Sequence, residues 1–250
     1  MKKNALYLFL LLLPMMQYAQ KKVVGQNLPK YDRQKMHFGM MLGYNTMDFT
    51  IHNSGAFWTL DSIYSIENKR NPGFNINVVI NYNIVPALSF RILPGLNFGQ
   101  RDLEYEILSH DSVFSKVSMI IPSTFLDIPL QFKYKSERLY NMRAYVIAGG
   151  SYRWDLAAKT YIDPSEEPLV RLTHADYYYE VGAGVDFFLQ YFKFGLEIKG
   201  SFGTRNVLIP DGSQYTRAID RLTSKMMIIS MTFEGSDMSN FWIFKRRPKH

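Results

Sequence analysis

Apolar and polar residues alternate along most of the chain between residues 37 and 234, and helical spacing is scarce there. Phe74, Ile76, Val78, Ile80, Tyr82 and Ile84 share one parity, while Gly73, Asn75, Asn77, Asn81 and Asn83 hold the other. Successive side chains of a strand point to opposite faces, so this run has one apolar and one polar face. The same rule marks segments near 37–45, 88–99, 124–134, 143–156, 176–187, 192–202 and 224–233. The pattern predicts eight strands.

The expected connections alternate in length. Val85-Pro86-Ala87, the stretch from Ser136 to Met142, and Leu189-Gln190-Tyr191 are short, whereas those near 50–71, 104–121, 157–174 and 204–217 are long and rich in Pro, Ser and Asp. Short turns at one end, long loops at the other and an even strand count are the marks of an outer-membrane barrel. A soluble lipocalin-like barrel would write the same period with its faces exchanged. Three features favour the lipid-facing assignment: strands of a dozen or more residues, glycines and charges on the polar parity, and aromatic residues near strand ends. The expected fold is an all-β, eight-stranded antiparallel transmembrane barrel with a plugged polar interior, over residues 37–234.

The termini read differently. Residues 1–19 carry a short basic start, Lys2-Lys3, and an apolar run from Ala5 to Leu13 ended by Pro14, the design of a secretory signal. Residues 20–36 are polar and aperiodic and are expected to form a periplasmic leader. Residues 235–250 form a tail, expected on the same side, with an aromatic cluster (Phe241, Trp242, Ile243, Phe244) followed by Lys245, Arg246 and Arg247. That tail would rest on the inner leaflet or bind a periplasmic partner, or else be a solvated terminus.

Charge looks at first like a nucleic-acid flag, since 29 Lys+Arg face 22 Asp+Glu for a net +7. Lys2 and Lys3, and the tail's Lys245, Arg246, Arg247 and Lys249 against Asp237, account for most of it, leaving the body at +2. A basic binding face therefore lacks support. There is no cysteine, hence no disulfide, thiolate metal site or thiol nucleophile.

On the inward parity lie Arg91, Asp127, Lys133, Arg153, Asp155, Asp176, Glu180, Asp186, Lys193, Glu197 and Lys199. Eight strands leave an interior just wide enough for side chains to fill, so these residues are expected to form a cross-linked structural network, with a narrow conduit as the alternative. Catalytic and metal constellations are scarce. The histidines (37, 52, 110, 174 and 250) show no metal-ligand spacing. His110-Asp111-Ser112 has the residue types of a hydrolytic triad, but consecutive residues cannot form its relay. Gly149-Gly150 and Gly182-Ala183-Gly184 lie inside strands, where no phosphate cradle forms. The expectation is a protein with no catalytic, cofactor or metal site.

Particular strings then carry a resemblance. They include Gln26-Asn27-Leu28-Pro29, His37-Phe38-Gly39, Met47-Asp48-Phe49, Pro72-Gly73-Phe74-Asn75-Ile76 and Arg101-Asp102-Leu103-Glu104-Tyr105. Ser123-Thr124-Phe125-Leu126-Asp127-Ile128-Pro129-Leu130, Asn141-Met142-Arg143-Ala144-Tyr145, Tyr179-Glu180-Val181-Gly182 and Tyr191-Phe192-Lys193-Phe194 complete the set. In their order the chain resembles, over residues 26–234, the PorT family of small outer-membrane barrels in Bacteroidota. The resemblance implies an accessory or scaffold component of type IX secretion, needed for export and maturation of cargo with C-terminal sorting domains and, in motile members, for gliding. It implies other outer-membrane and periplasmic secretion components and outer-membrane lipid as partners, and neither nucleic acid nor a small-molecule substrate. The competing readings are a general small barrel, serving attachment or envelope integrity, and a lipid-modifying barrel enzyme.

Overall fold

The computed structural model describes residues 25–55, 63–108, 114–158, 170–210 and 213–235. The strands are β1 (Met36–Asn53), β2 (Ile63–Val85), β3 (Leu88–Ile92), β4 (Gly95–Leu108), β5 (Phe114–Lys135), β6 (Met142–Asp155), β7 (Arg171–Leu172), β8 (Ala175–Phe188), β9 (Lys193–Gly203), β10 (Leu208–Ile209) and β11 (Ile219–Gly235). β3 and β4 are one barrel strand interrupted at Leu93-Pro94, where proline has no N–H to donate and Val78 N–H instead reaches the Pro94 carbonyl at 2.9 Å. Antiparallel pairing runs β1–β2–(β3/β4)–β5–β6–β8–β9–β11, and β11 pairs back onto β1. Closure leaves no free edge across the lipid band, the condition for backbone to cross lipid without unpaired N–H and C=O groups.

The eight-stranded antiparallel barrel expected from alternation is what forms, with the apolar parity outward. Met40, Leu42, Tyr44, Phe74, Ile76, Val78, Leu130, Phe132, Val181, Ile198, Ile229 and Met231 are all exposed, while Asn45, Asn75, Asn77, Asn97, Gln131 and Ser230 are buried. Ring pairs mark both rims of the apolar band. Phe74–Phe98, Tyr152–Tyr177 and Tyr179–Phe202 lie toward the long loops, and Phe90–Phe132 and Phe194–Phe233 toward the turns. The lumen is narrow: a side chain added at Gly184 would run into the Tyr145 ring, and one at Gly43 into Asn75.

Two of the four long connections differ from expectation. The stretches near 50–71 and 104–121 are mostly strand: β1 runs to Asn53, β2 begins at Ile63, β4 runs to Leu108 and β5 begins at Phe114. β2 has 23 residues and β5 has 22, about twice the 9–11 that cross a bilayer. Above the lipid band neither face meets hydrocarbon, so alternation lapses although pairing continues, from Arg70↔Arg101 to Ile63↔Ile107 and from Gln100↔Pro122 to Leu108↔Phe114. The other two long connections contain the small β7–β10 ladder and a one-turn helix, Gln214–Arg217, capped by Ser213.

Candidate functional site

Among the described residues the lumen gathers most of the paired charges, and its parts follow from strand parity. Arg91 on β3 meets Glu197 on β9 (Nη1–Oε2 2.8 Å), and Glu197 also accepts from the Tyr145 hydroxyl at 3.0 Å. Arg153 on β6 bridges Asp127 (3.1 Å) and Glu180 (2.7 Å). Glu180 also accepts from Lys199 at 3.2 Å and from Gln131 at 2.5 Å, while Asp127 accepts from Asn97 at 2.6 Å and from Ser151. Nearer the turns, Lys133 and Lys193 share Asp186 (2.8 and 3.5 Å), and Lys193 also holds Glu234 at 2.8 Å. Nearer the loops, Arg101 pairs with Asp155 at 2.7 Å and donates to Ser123 and Ser224.

Arg91, Arg101, Lys133, Arg153, Lys193 and Lys199 are thus matched by Asp127, Asp155, Glu180, Asp186, Glu197 and Glu234. All are buried, and in a low-dielectric interior such charges persist only when paired. Of the eleven inward residues singled out from sequence, ten lie in this network. Asp176 does not. It sits at the loop end of β8 and caps backbone, accepting from Tyr177 N (2.8 Å) and Arg205 N (3.1 Å). The sequence reading left out Glu234, Arg101 and Tyr145, although each continues the inward parity of its strand.

Both ends of the lumen are covered. At the loop end Phe49, Leu103, Tyr105, Met119, Ile121, Leu172, Val207 and Leu222 form a buried apolar cluster, with Val170, Leu208 and Ile219 closing it from above. Arg101 lies under this lid, its guanidinium 4.9 Å from the centroids of both Phe49 and Phe125.

At the turn end the segment before β1 folds back across the mouth. A single 3₁₀ turn, Tyr31–Arg33, drives Tyr31 inward until it is 3 % exposed. Its ring stacks on His37 (3.8 Å between centroids), its edge meets Phe188, and its hydroxyl donates to Glu234 Oε2 at 2.9 Å. Burial first, and the neighbouring Glu234 carboxylate second, hold the phenol well above its ordinary pKa of 10, so it stays protonated as a donor. The Asn27 side chain donates to the Phe188 carbonyl at 3.0 Å and its backbone N–H donates to Asn141 Oδ1 at 2.9 Å, while Asp32 pairs with Arg143 at 2.8 Å and Arg138 at 3.5 Å. The polar, aperiodic leader is thus, from residue 25 onward, part of the barrel's closure.

Among the described residues no group of three or more His, Asp or Glu could hold a metal. His52 is exposed and His174 contacts the Asp155 carbonyl. His110-Asp111-Ser112, the signal segment 1–19 and the tail residues Phe241, Trp242, Phe244, Lys245, Arg246 and Arg247 lie outside the described residues.

A closed barrel, greasy outside and ionic inside, with turns at one end and a projecting sheet at the other, defines an outer-membrane β-barrel protein. Residues 18–208 match the family described as outer membrane protein beta-barrel domain, and the chain belongs to that family. No curated protein matches the chain. Among solved structures it is similar to Neisserial surface protein A (10 % identity, 78 % of this chain and 96 % of that chain, TM-score 0.41) and OprG of Pseudomonas aeruginosa (9 %, 81 % and 95 %, 0.40). It is also similar to Ail, the attachment invasion locus protein of Yersinia pestis (9 %, 80 % and 99 %, 0.35). Identities this low transfer no activity.

Proposed function

We propose that this outer-membrane barrel is a non-conducting accessory of type IX secretion, a scaffold of the PorT kind and not an enzyme. The observation that carries the reading is the sealed interior: a neutral ion-paired lumen under an apolar lid, with Tyr31 in the opposite mouth. An eight-stranded barrel filled in this way has no room for a folded cargo, so its useful surfaces are its rims and its lipid-facing wall. The ordered strings from Gln26 to Phe194 described above supply the link to secretion. In this reading residues 1–19 are removed on export, the turn end and both termini face the periplasm, and the partners are other secretion components in the outer membrane and periplasm.

The test is deletion of the gene in its own host. Cargo bearing C-terminal sorting domains should accumulate as precursors within the envelope. Normal cargo maturation with an altered lipid mass spectrum would point to a lipid-modifying enzyme instead, and normal maturation with lost attachment or detergent resistance to a general small barrel. Because Asn27 and Tyr31 are built into the barrel mouth, removing the whole leader would disturb the fold. The partner-contact test therefore belongs to the tail. Deleting residues 236–250 should impair cargo secretion while the barrel stays folded, and unimpaired secretion would remove the tail from the contact surface.

A further inference from the structure

The β1–β2 ladder ends at Met47↔Asn71, although both strands continue upward. Above that pair a cluster of charged and amide side chains replaces the backbone bonds on the outer wall. Asn68 donates to the Phe49 carbonyl at 2.8 Å and to Asp48, whose Oδ1 also accepts Phe49 N–H at 2.8 Å. Asp48 Oδ2 then holds two cations, Arg70 Nε at 3.2 Å and Lys225 Nζ at 3.2 Å. The carboxylate is saturated and buried. The cations are not: 67 % of the Arg70 side chain and 34 % of that of Lys225 remain exposed. Two cations on one carboxylate leave a net positive charge turned outward.

That charge stands at the upper border of the apolar band. On β11 the outward series Phe233, Met231, Ile229, Met227 ends at Lys225, and on β1 the series Met40, Leu42, Tyr44 gives way through Thr46 to Asp48. Directly below, the wall is dented. Gly200 sits between its cross-strand neighbours Val181 and Met227, and where its side chain would be, the Phe202 ring leaves only 3.0 Å. The dent and its charged rim form one groove of about 400 Å³, lined by Val181, Ile198, Gly200, Phe202 and Met227 below and by Arg70 and Lys225 above. A groove that is apolar within the hydrocarbon and cationic at headgroup level matches one kind of molecule in that setting: an anionic amphiphile, chain down and charge up.

We propose that this groove is a binding site for one net-anionic phosphorylated lipid of the leaflet at the loop end, its phosphate held by Arg70 and Lys225 and an acyl chain laid over Gly200. This goes beyond the secretion reading and does not depend on it. The test is native mass spectrometry of the full-length protein released from detergent with lipid A, phosphatidylglycerol, phosphatidylcholine or inorganic phosphate. One lipid A or phosphatidylglycerol molecule should be retained about tenfold more than phosphatidylcholine. Lys225→Gln, which leaves Arg70 on Asp48, should erase most of that preference, and Gly200→Leu should lower retention of anionic and zwitterionic lipid alike. Both variants should keep the wild-type β-sheet circular dichroism. Equal retention of phosphatidylglycerol and phosphatidylcholine, an unchanged preference in Lys225→Gln, unchanged retention in Gly200→Leu, or displacement of the lipid by inorganic phosphate would each overturn the proposal.

Discussion

The part of the barrel within lipid and the part that projects beyond it are built from the same continuous strands with opposite logic. Along β1 the inward side chains are His37, Gly39, Met41, Gly43 and Asn45 in the lower part, then Met47 and Phe49. On β4, inward Asn97 and Arg101 give way to Leu103 and Tyr105. Outside, the change is reversed: Ile76 and Val78 are exposed low on β2, whereas above them an exposed Lys69 pairs with a half-buried Glu104. In lipid the hydrophobic gain lies at the outer wall, so the interior must hold the polar groups and pair them. In water the gain lies inside, so the same strands turn apolar inward, as in any soluble sandwich. What decides a side chain's type is the medium on the far side of the wall.

This contrast predicts different failures in the two parts. Arg153→Ala strips two carboxylates, Asp127 and Glu180, of their shared partner, so the membrane part should lose about 3–5 kcal/mol in urea unfolding in micelles. A midpoint unchanged from wild type would mean that water, not Arg153, satisfies those acids. Leu103→Ala, in the upper core, should cost about 2–5 kcal/mol but only locally. Proteolysis should quicken in the projecting β2–β4–β5 sheet while the barrel remains folded. Ile229→Arg places a charge midway along the lipid-facing series of β11 and should cost about 2–4 kcal/mol. Ser65→Arg, on the projecting sheet of β2, should stay within about 0.5 kcal/mol. Equal costs at the two sites would erase the distinction between the two exteriors.

Legibility in the sequence follows the same division. Inside the lipid band each strand meets only two environments, so parity alone places Arg91, Asp127, Lys133 and Glu180 inward. Extending that parity would also have reached Glu234 two residues beyond Thr232, and Arg101 two beyond Gly99. Pairing was not legible, because Arg91 and Glu197 are 106 residues apart and meet across the lumen only through the stagger of the closed barrel. Asp176 has the right parity but lies at the rim, where backbone N–H groups compete for it. Above the band, Met47 and Phe49 share their parity with Asn45 yet do the opposite job, so the strand's upward course is hidden. Tyr31 has no period around it, and a single 3₁₀ turn gives no repeat from which its insertion could be read.

The turn-end latch gives a small effect and the sharpest test of how far the polar interior extends. Tyr31→Phe keeps the ring on His37 and removes only the hydroxyl that donates to Glu234. Because Lys193 still pairs with Glu234 at 2.8 Å, the loss should be about 1 kcal/mol. The phenol's pKa is raised in the folded protein, so the latch contributes fully below the ordinary tyrosine pKa of 10. It is lost as pH rises through the higher folded value, because the unlatched phenol ionises first. Proteolytic release of residues 25–35 should therefore accelerate above pH 10 in the wild type. In Tyr31→Phe it should be slightly faster at neutral pH and should lack that alkaline step. The same alkaline step in both proteins would place the titrating group elsewhere and would make the ring's stacking, not its hydroxyl, the element that closes the barrel.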